Sequence, residues 1–220
     1  RFPAPVAGRM ATAHRVVNAV HGALAQLLTD SVPSAYYGTS YVYALATEDS
    51  AGRPSVYFEI EVGGGGASAG ADGASAYSCG LHNLSNTPVE MIEAEHPVTF
   101  VEYGLRPNSG GAGRYRGGLG LVRAWRLDAA AGTFSANLER FRFAPYGLAG
   151  GADGAVGRLS LVRGGATEQL PSKLGNRRLR KGDIVRLETS GGGGYGPPEQ
   201  RAPEAVNKDV ADAYVSTELA

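Results

Sequence analysis

The glycines constrain this chain more than any other feature. "TSGGGGYGPP", Thr189 to Pro198, holds four in a row, and "GGGG" at 63–66 opens a second loop that runs to Gly73. Glycine loses more conformational freedom on ordering than any other residue. A run of four therefore marks a disordered loop, or a place where something approaches the backbone too closely for a side chain. Glycine supplies 33 of the 220 residues, about twice the usual share, and its clusters separate strand-like runs. Ordered turns are the better reading. The tetraglycine is then either a nest of N–H groups at Gly191, Gly192, Gly193 and Gly194 open to an anion, or a crossover between the last strand and a terminal helix.

Around the glycines, hydrophobic spacing defines the elements. Met10, Ala13, Val17, Val20, Leu24 and Leu27 recur at steps of three and four, which predicts an amphipathic helix over Ala7 to Leu28. "YVYALAT" and "SVYFEIEV", joined by "EDSAGRP", read as a hairpin. In its second strand Val56, Phe58, Ile60 and Val62 alternate with Tyr57, Glu59 and Glu61, so the apolar set is expected inside and the glutamates in solvent. "NTPVEMIEAE" is a helix start with Thr87 as N-cap, Pro88 at the first position and Glu90 closing a capping box. "VTFVEYGL", "LGLVRAWRL", "TFSANLERFRF", "GRLSLVR" and "DIVRLETS" read as strands, and Pro203 opens a terminal helix. Two longer helices, one short helix and about seven mostly antiparallel strands make an α+β protein rich in β. With no internal repeat and no linker, residues 1–220 read as a single domain.

Several functions lose support at once. The formal net charge is zero, so nothing electrostatic favours nucleic acid or an acidic membrane. No apolar run spans a bilayer, and no signal-peptide pattern is present. The lone Cys79 rules out an internal disulfide and suits a reducing, cytoplasmic setting. The chain opens at Arg1, with its first Met at position 10, which reads as a processed product, a fragment or an artificially bounded piece.

Candidate chemistry is sparse. His14 and His21 lie seven residues apart on one helix, about 10 Å along its axis, too far to share an ion. His82 in "LHNLSN", near Asp72, could be a lone ligand, but with His96 the four histidines build no complete metal site. The glycine clusters lack the G-K-[ST] of a P-loop and the G-x-G-x-x-G of a Rossmann fingerprint. Cys79 has no evident base, and no serine sits in G-x-S-x-G. Glu59, Asp72 and His82 are the catalytic candidates. "KLGNRRLRKGD", with Arg177, Arg178, Arg180 and Lys181, reads as a solvated turn, with an acidic partner chain as the other option.

Taken together, "PVAGRMATAHRVVNAVHGALAQ", "VYFEIEVGGGGASAGADG", "NLSNTPVEMIEAEHPV", "YGLRPNSGGAGRYRGGLGLVR", "RLETSGGGGYG" and "PEAVNKDVADAYVS" resemble, in order and over nearly the whole chain, the C-terminal part of the hydantoinase B/oxoprolinase family. The resemblance implies a B-type subunit that works with an A-type subunit. The A-type partner would bind ATP and Mg and phosphorylate a carbonyl, and a divalent metal would sit on the N-terminal half of the B-type polypeptide. Members hydrolyse 5-oxoproline, hydantoins or related lactams, and relatives carboxylate ketones such as acetone or acetophenone. Asn108 and Pro197 stand where the family usually has Asp. In this light Gly191–Gly194 could donate to a phosphorylated intermediate, helped by Arg114 and Arg116, although those arginines could equally pin the turn "NSGGAGRYRGG".

The expected role is a share in the half-site of an ATP-dependent cyclic amide hydrolase. Alternatives are a segment of an ATP-dependent ketone carboxylase and a non-catalytic assembly module. The chain is expected to work only with partner chains and to hold no metal or ATP itself. The tetraglycine is expected to be ordered and to face a shared cleft, so that Val at Gly192 or Gly193 lowers turnover more than melting temperature.

Overall fold

A computed structural model describes residues 9–48 and 52–219. Ala7 and Gly8, at the start of the expected first helix, and residues 49–51 of the first hairpin turn lie outside the described residues.

The described residues form three α-helices: α1 (Arg9–Leu24), α2 (Val89–Glu95) and α3 (Pro203–Ala211). They also form nine strands: β1 (Tyr41–Glu48), β2 (Pro54–Glu61), β3 (Val98–Leu105), β4 (Leu121–Leu127), β5 (Ala131–Asn137), β6 (Arg158–Arg163), β7 (Ala166–Gln169), β8 (Lys173–Arg180) and β9 (Ile184–Glu188). One antiparallel sheet runs β2-β1-β5-β8 and the other β3-β4-β9-β6-β7. Their inner faces share one core, in which Tyr43, Leu45 and Phe134 of the first sheet meet Trp125, Leu161 and Leu187 of the second. The α+β class is as the sequence predicts.

Two strands exceed the expected seven. The basic run is not a solvated turn but strand β8, because Leu179 reaches the core and Leu174 packs on it, while Arg178 and Arg180 face outward and Arg177, opposite the buried Phe134, is half-buried. Arg177 pairs there with Glu168. The turn is confined to Lys181–Asp183, where Gly182 takes φ +87°. β7, "ATEQ", is four exposed residues with no apolar alternation to announce it. Helix α2 begins one residue later than its capping box suggests. Pro88 is the N-cap, without a side-chain cap bond, since Pro has no N–H and its φ fits the extended entry.

Strand β2 buries the face that its pattern assigns to solvent, and α1 buries polar residues beside part of its apolar stripe. On β2, Tyr57 and Glu61 are buried, whereas Val56 and Phe58 are 60% and 57% exposed. On α1, His14 and Asn18 are buried while Val16 and Val20 stand out; of the helix's valines, Val17 packs on the core. Alternation specifies two faces but not which of them turns inward. Buried hydrogen bonds decide it here: Asn18 Nδ2 donates to Tyr36 O at 3.2 Å, and Tyr43 Oη donates to Glu61 Oε1 at 3.0 Å.

The glycines pack as layers of extended backbone. Successive N–H groups of the tetraglycine donate in different directions: Gly191 to Ala155 O, Gly192 to Gly118 O, Gly193 to Ala35 O and Gly194 to Ala152 O. Directions repeat after three residues, since Gly191 and Gly194 reach the same segment. That is the threefold screw of a polyproline-II-like strand. A Cβ on Gly192 would lie 1.8 Å from Gly65 O, and one on Gly191 1.8 Å from Ser109 O. Close backbone approach, not positive φ, is what demands glycine.

Candidate functional site

The tetraglycine is ordered and buried, but it is not an anion nest. All four N–H groups are already spent on protein carbonyls at 2.8–3.2 Å, so none of them remains for a ligand.

Arg116 is likewise committed. Its Nε donates to Asp209 Oδ1 at 3.2 Å, its Nη1 to Gly117 O at 2.6 Å, and its guanidinium lies over the Tyr214 ring. Arg114 is exposed, with its guanidinium 5.5 Å from the Tyr115 ring centroid. Asp72 belongs to the same network: Arg201 grips it through two bonds of 2.8 Å, and the Arg116 backbone N–H donates to it at 2.7 Å. Burial alone would push the Asp72 carboxyl up, but these donors outweigh it and hold it below the usual carboxylate range. The network closes the loop 106–117 onto the C-terminal helix. Asn108, at φ +59°, completes it by accepting from Ser216 N at 2.8 Å, a left-handed position that Asn tolerates well.

His82 and Asp72 have separate partners. His82 Nδ1 meets Tyr37 Oη at 2.9 Å and its Nε2 meets Ser40 Oγ at 2.5 Å, so both ring nitrogens are in use. The His14 ring stands edge-on to it with centroids 4.3 Å apart, and His14 Nδ1 meets Tyr36 Oη at 2.7 Å. Burial, then the neighbouring His82 and Arg15, lower the His14 pKa to about 4; burial lowers that of His82 too. Both are neutral polar cores of the α1 contact. Beside them, burial pushes the Cys79 thiol to about 11, which leaves it a poor nucleophile. His96 meets Ser55 Oγ at 3.0 Å at the end of α2. Among the described residues no three His, Cys, Asp or Glu side chains are placed to hold a metal ion.

Glu59 is the candidate that the structure sets in a cleft. A cavity of about 350 Å³ opens between β2 and β3, lined by Glu59, Glu61, Val62, Leu84, Tyr103 and Leu121. These two strands are the outer edges of their sheets among the described residues. Behind the carboxylates stands Arg123, 1% exposed, with Nη1 at 2.6 Å from Glu61 and 3.4 Å from Glu59. Phe100 and Tyr103 flank its guanidinium at 4.8 Å each. Tyr57 Oη donates to Glu59 Oε2 at 3.2 Å. Burial raises the Glu61 pKa, and the Arg123 charge opposes that rise. Glu61 is thus the inner anchor, and Glu59 the carboxylate nearer the opening. Arg123, Tyr43, Tyr57 and Tyr103 are not evident from sequence. The available signal is that "YVY" and "YFEIE" match polar with polar across one hairpin: Tyr43 faces Glu59, and Tyr41 faces Glu61.

Two antiparallel sheets, welded at one end by layered glycine backbone and cleft between their edge strands, define a class of α+β module. The sequence profile of the hydantoinase B/oxoprolinase family matches residues 1–198. The chain belongs to that family. It is 37% identical over its whole length to a Pseudomonas sp. (strain NS671) protein named as the B component of a D-/L-hydantoinase, of which it covers 37%. Over 64% of its length it is 35% identical to 5-oxoprolinase 1 of Arabidopsis thaliana, of which it covers 11%. The chain therefore spans little more than a third of such relatives at most. Among solved structures it resembles the ATP-dependent caprolactamase of Pseudomonas jessenii, with TM-score 0.80, 24% identity, and coverage of 89% of this chain and 35% of that one. It also resembles a nucleotide-free acetone carboxylase, with TM-score 0.74, 19% identity, and coverage of 89% and 30%. These two likenesses establish the fold. No helix among the described residues is long and apolar enough to cross a membrane.

Proposed function

We propose that the chain is the β-rich C-terminal part of a B-type subunit in an ATP-dependent cyclic amide hydrolase. It would supply one wall of the half-site that processes a carbonyl-phosphorylated intermediate. The observation that carries this reading is Glu59, a carboxylate at a cleft mouth, oriented from behind by Tyr57 and Arg123. An A-type partner would bring ATP and Mg and phosphorylate the amide oxygen. One water then adds to the activated carbon and the ring C–N bond breaks. The nitrogen leaves protonated as an amine, and the carbon remains as an acyl phosphate, which a second water hydrolyses to carboxylate and inorganic phosphate. In this reading Glu59 is the general base that accepts the proton of the first water and passes it to the leaving nitrogen. The apolar wall of Val62, Leu84 and Leu121 limits stray water around a reactive phosphorylated intermediate.

The test is reconstitution with the remaining B-type polypeptide and an A-type subunit, followed by ADP release and ring opening on 5-oxoproline and hydantoin. Substrate-dependent ADP release without bicarbonate supports the hydrolase. A strict need for bicarbonate would replace it with a ketone carboxylase. Full activity in Glu59→Gln would reduce this chain to an assembly module, a role that the internally satisfied glycine layers would serve equally well.

A further inference from the structure

Two elements leave an apolar face outward while burying polar side chains. On β2 the outward residues are Val56 and Phe58. Register places Ala44 opposite Phe58 and Ala46 opposite Val56, so the outer surface of the β1–β2 edge is continuously apolar. It turns polar at β5, where Ser135 and Thr133 follow in the same rows. Helix α1 adds a second outward apolar stripe, although Val17 on its inner side packs on the core. His14 and Asn18 are buried, and Val16, Val20 and Leu24 are 56%, 50% and 39% exposed. Burying polar groups while leaving valines and a phenylalanine in water wastes the main driving force for folding. Both faces regain it only under another apolar surface.

We propose that the outer β1–β2 face and the outer stripe of α1 are docking surfaces for the rest of a hydantoinase-B-type polypeptide. The proposal rests on the reading of this chain as part of such a subunit. The Pseudomonas sp. relative that it matches along its whole length is much longer, with this chain covering 37% of it. That leaves ample polypeptide to cover two separate faces. The chemistry agrees: neither row carries a charge at Ala44, Ala46, Val56 and Phe58, or at positions 16, 20 and 24. Permanent interfaces resemble a core cut in two, whereas transient ones are more polar.

The test co-expresses this chain with a tagged polypeptide comprising the stretch of the Pseudomonas sp. relative that lies outside the segment matched here, so that each can fold on the other. The wild-type chain is expected to co-purify in a 1:1 complex. Val56→Asp/Phe58→Asp and Val20→Asp/Leu24→Asp should each weaken it at least tenfold. Phe143→Asp, at another exposed aromatic, should not. Circular dichroism of each variant should match that of the wild-type chain prepared in the same way, which separates lost docking from lost fold. Failure to form a complex, or equal retention of the charged variants, overturns the proposal. So does a homodimer of this chain that the same variants dissolve. The readout is binding, so a complex that forms but hydrolyses nothing would sink the proposed activity and leave this inference standing.

Discussion

Arg123 Nη1 lies 2.6 Å from Glu61 Oε1, with both side chains almost wholly buried between the two sheets. Each charge is tolerable only because of the other. Removing one partner strands the other in a poorly solvated interior.

Arg123→Met should therefore destabilise the fold by about 3–5 kcal/mol, measured by urea unfolding at neutral pH. Adding Glu61→Leu to that variant should recover much of the loss. A double variant as unstable as the single one would show that the pair is not the source.

The glycine layers make a second prediction, which reverses the order expected from sequence. A Cβ at Gly192 would sit 1.8 Å from Gly65 O and 2.3 Å from Gly65 C. Backbone must move to admit it, so Gly192→Ala should cost about 3 kcal/mol or more and lower the melting temperature before any effect on turnover. Gly175→Ala, with no heavy atom of the described residues within 4 Å of its Cβ, should be nearly neutral. Equal effects at the two sites would contradict the layered packing.

The sequence disclosed some of this architecture and concealed the rest for physical reasons. Hairpin β1–β2 and the strands around Trp125 were legible because their alternation is local. So was the close packing at Gly191–Gly194, one of the two readings that the run allowed. The inward turn of Glu59 and Glu61 was not legible, because it depends on Arg123, which lies 62 residues from Glu61 along the chain. Strand β8 was masked by its arginines, of which Arg178 and Arg180 face outward while Leu174 and Leu179 do the packing. His82 stood as a possible lone ligand because Tyr37 and Ser40, which occupy its nitrogens, belong to a distant segment.

Acid should weaken the protein in a defined window. Above pH 6.5, His14 is neutral whether the chain is folded or unfolded. Between 6.5 and about 4, the unfolded chain takes a proton that the folded chain refuses, so stability falls as pH falls. Below about 4 the difference levels off. The full effect is about 3 kcal/mol, and His82 adds to it in the same direction. Urea unfolding from pH 7.5 to 4 should show this slope, and His14→Gln, which cannot titrate, should flatten it. An unchanged slope in that variant would exclude His14 as the cause.

Asp72 should prove structural. Asp72→Asn weakens the grip of Arg201 at a partly exposed site, so the expected loss is about 1 kcal/mol. In the reconstituted complex kcat should stay within about twofold of wild type. A loss of kcat of about a hundredfold, the scale of a lost acid–base group, would return Asp72 to the catalytic candidates.

Glu59 carries the central claim, and steady-state turnover of the reconstituted complex with Glu59→Gln tests it most directly. The substitution keeps the shape and the bond from Tyr57 but cannot accept a proton at neutral pH. The expected result is a fall in kcat for ring opening of roughly 100-fold or more, in line with the loss of a general base, with the KM for ATP unchanged. Wild-type kcat in that variant would contradict it.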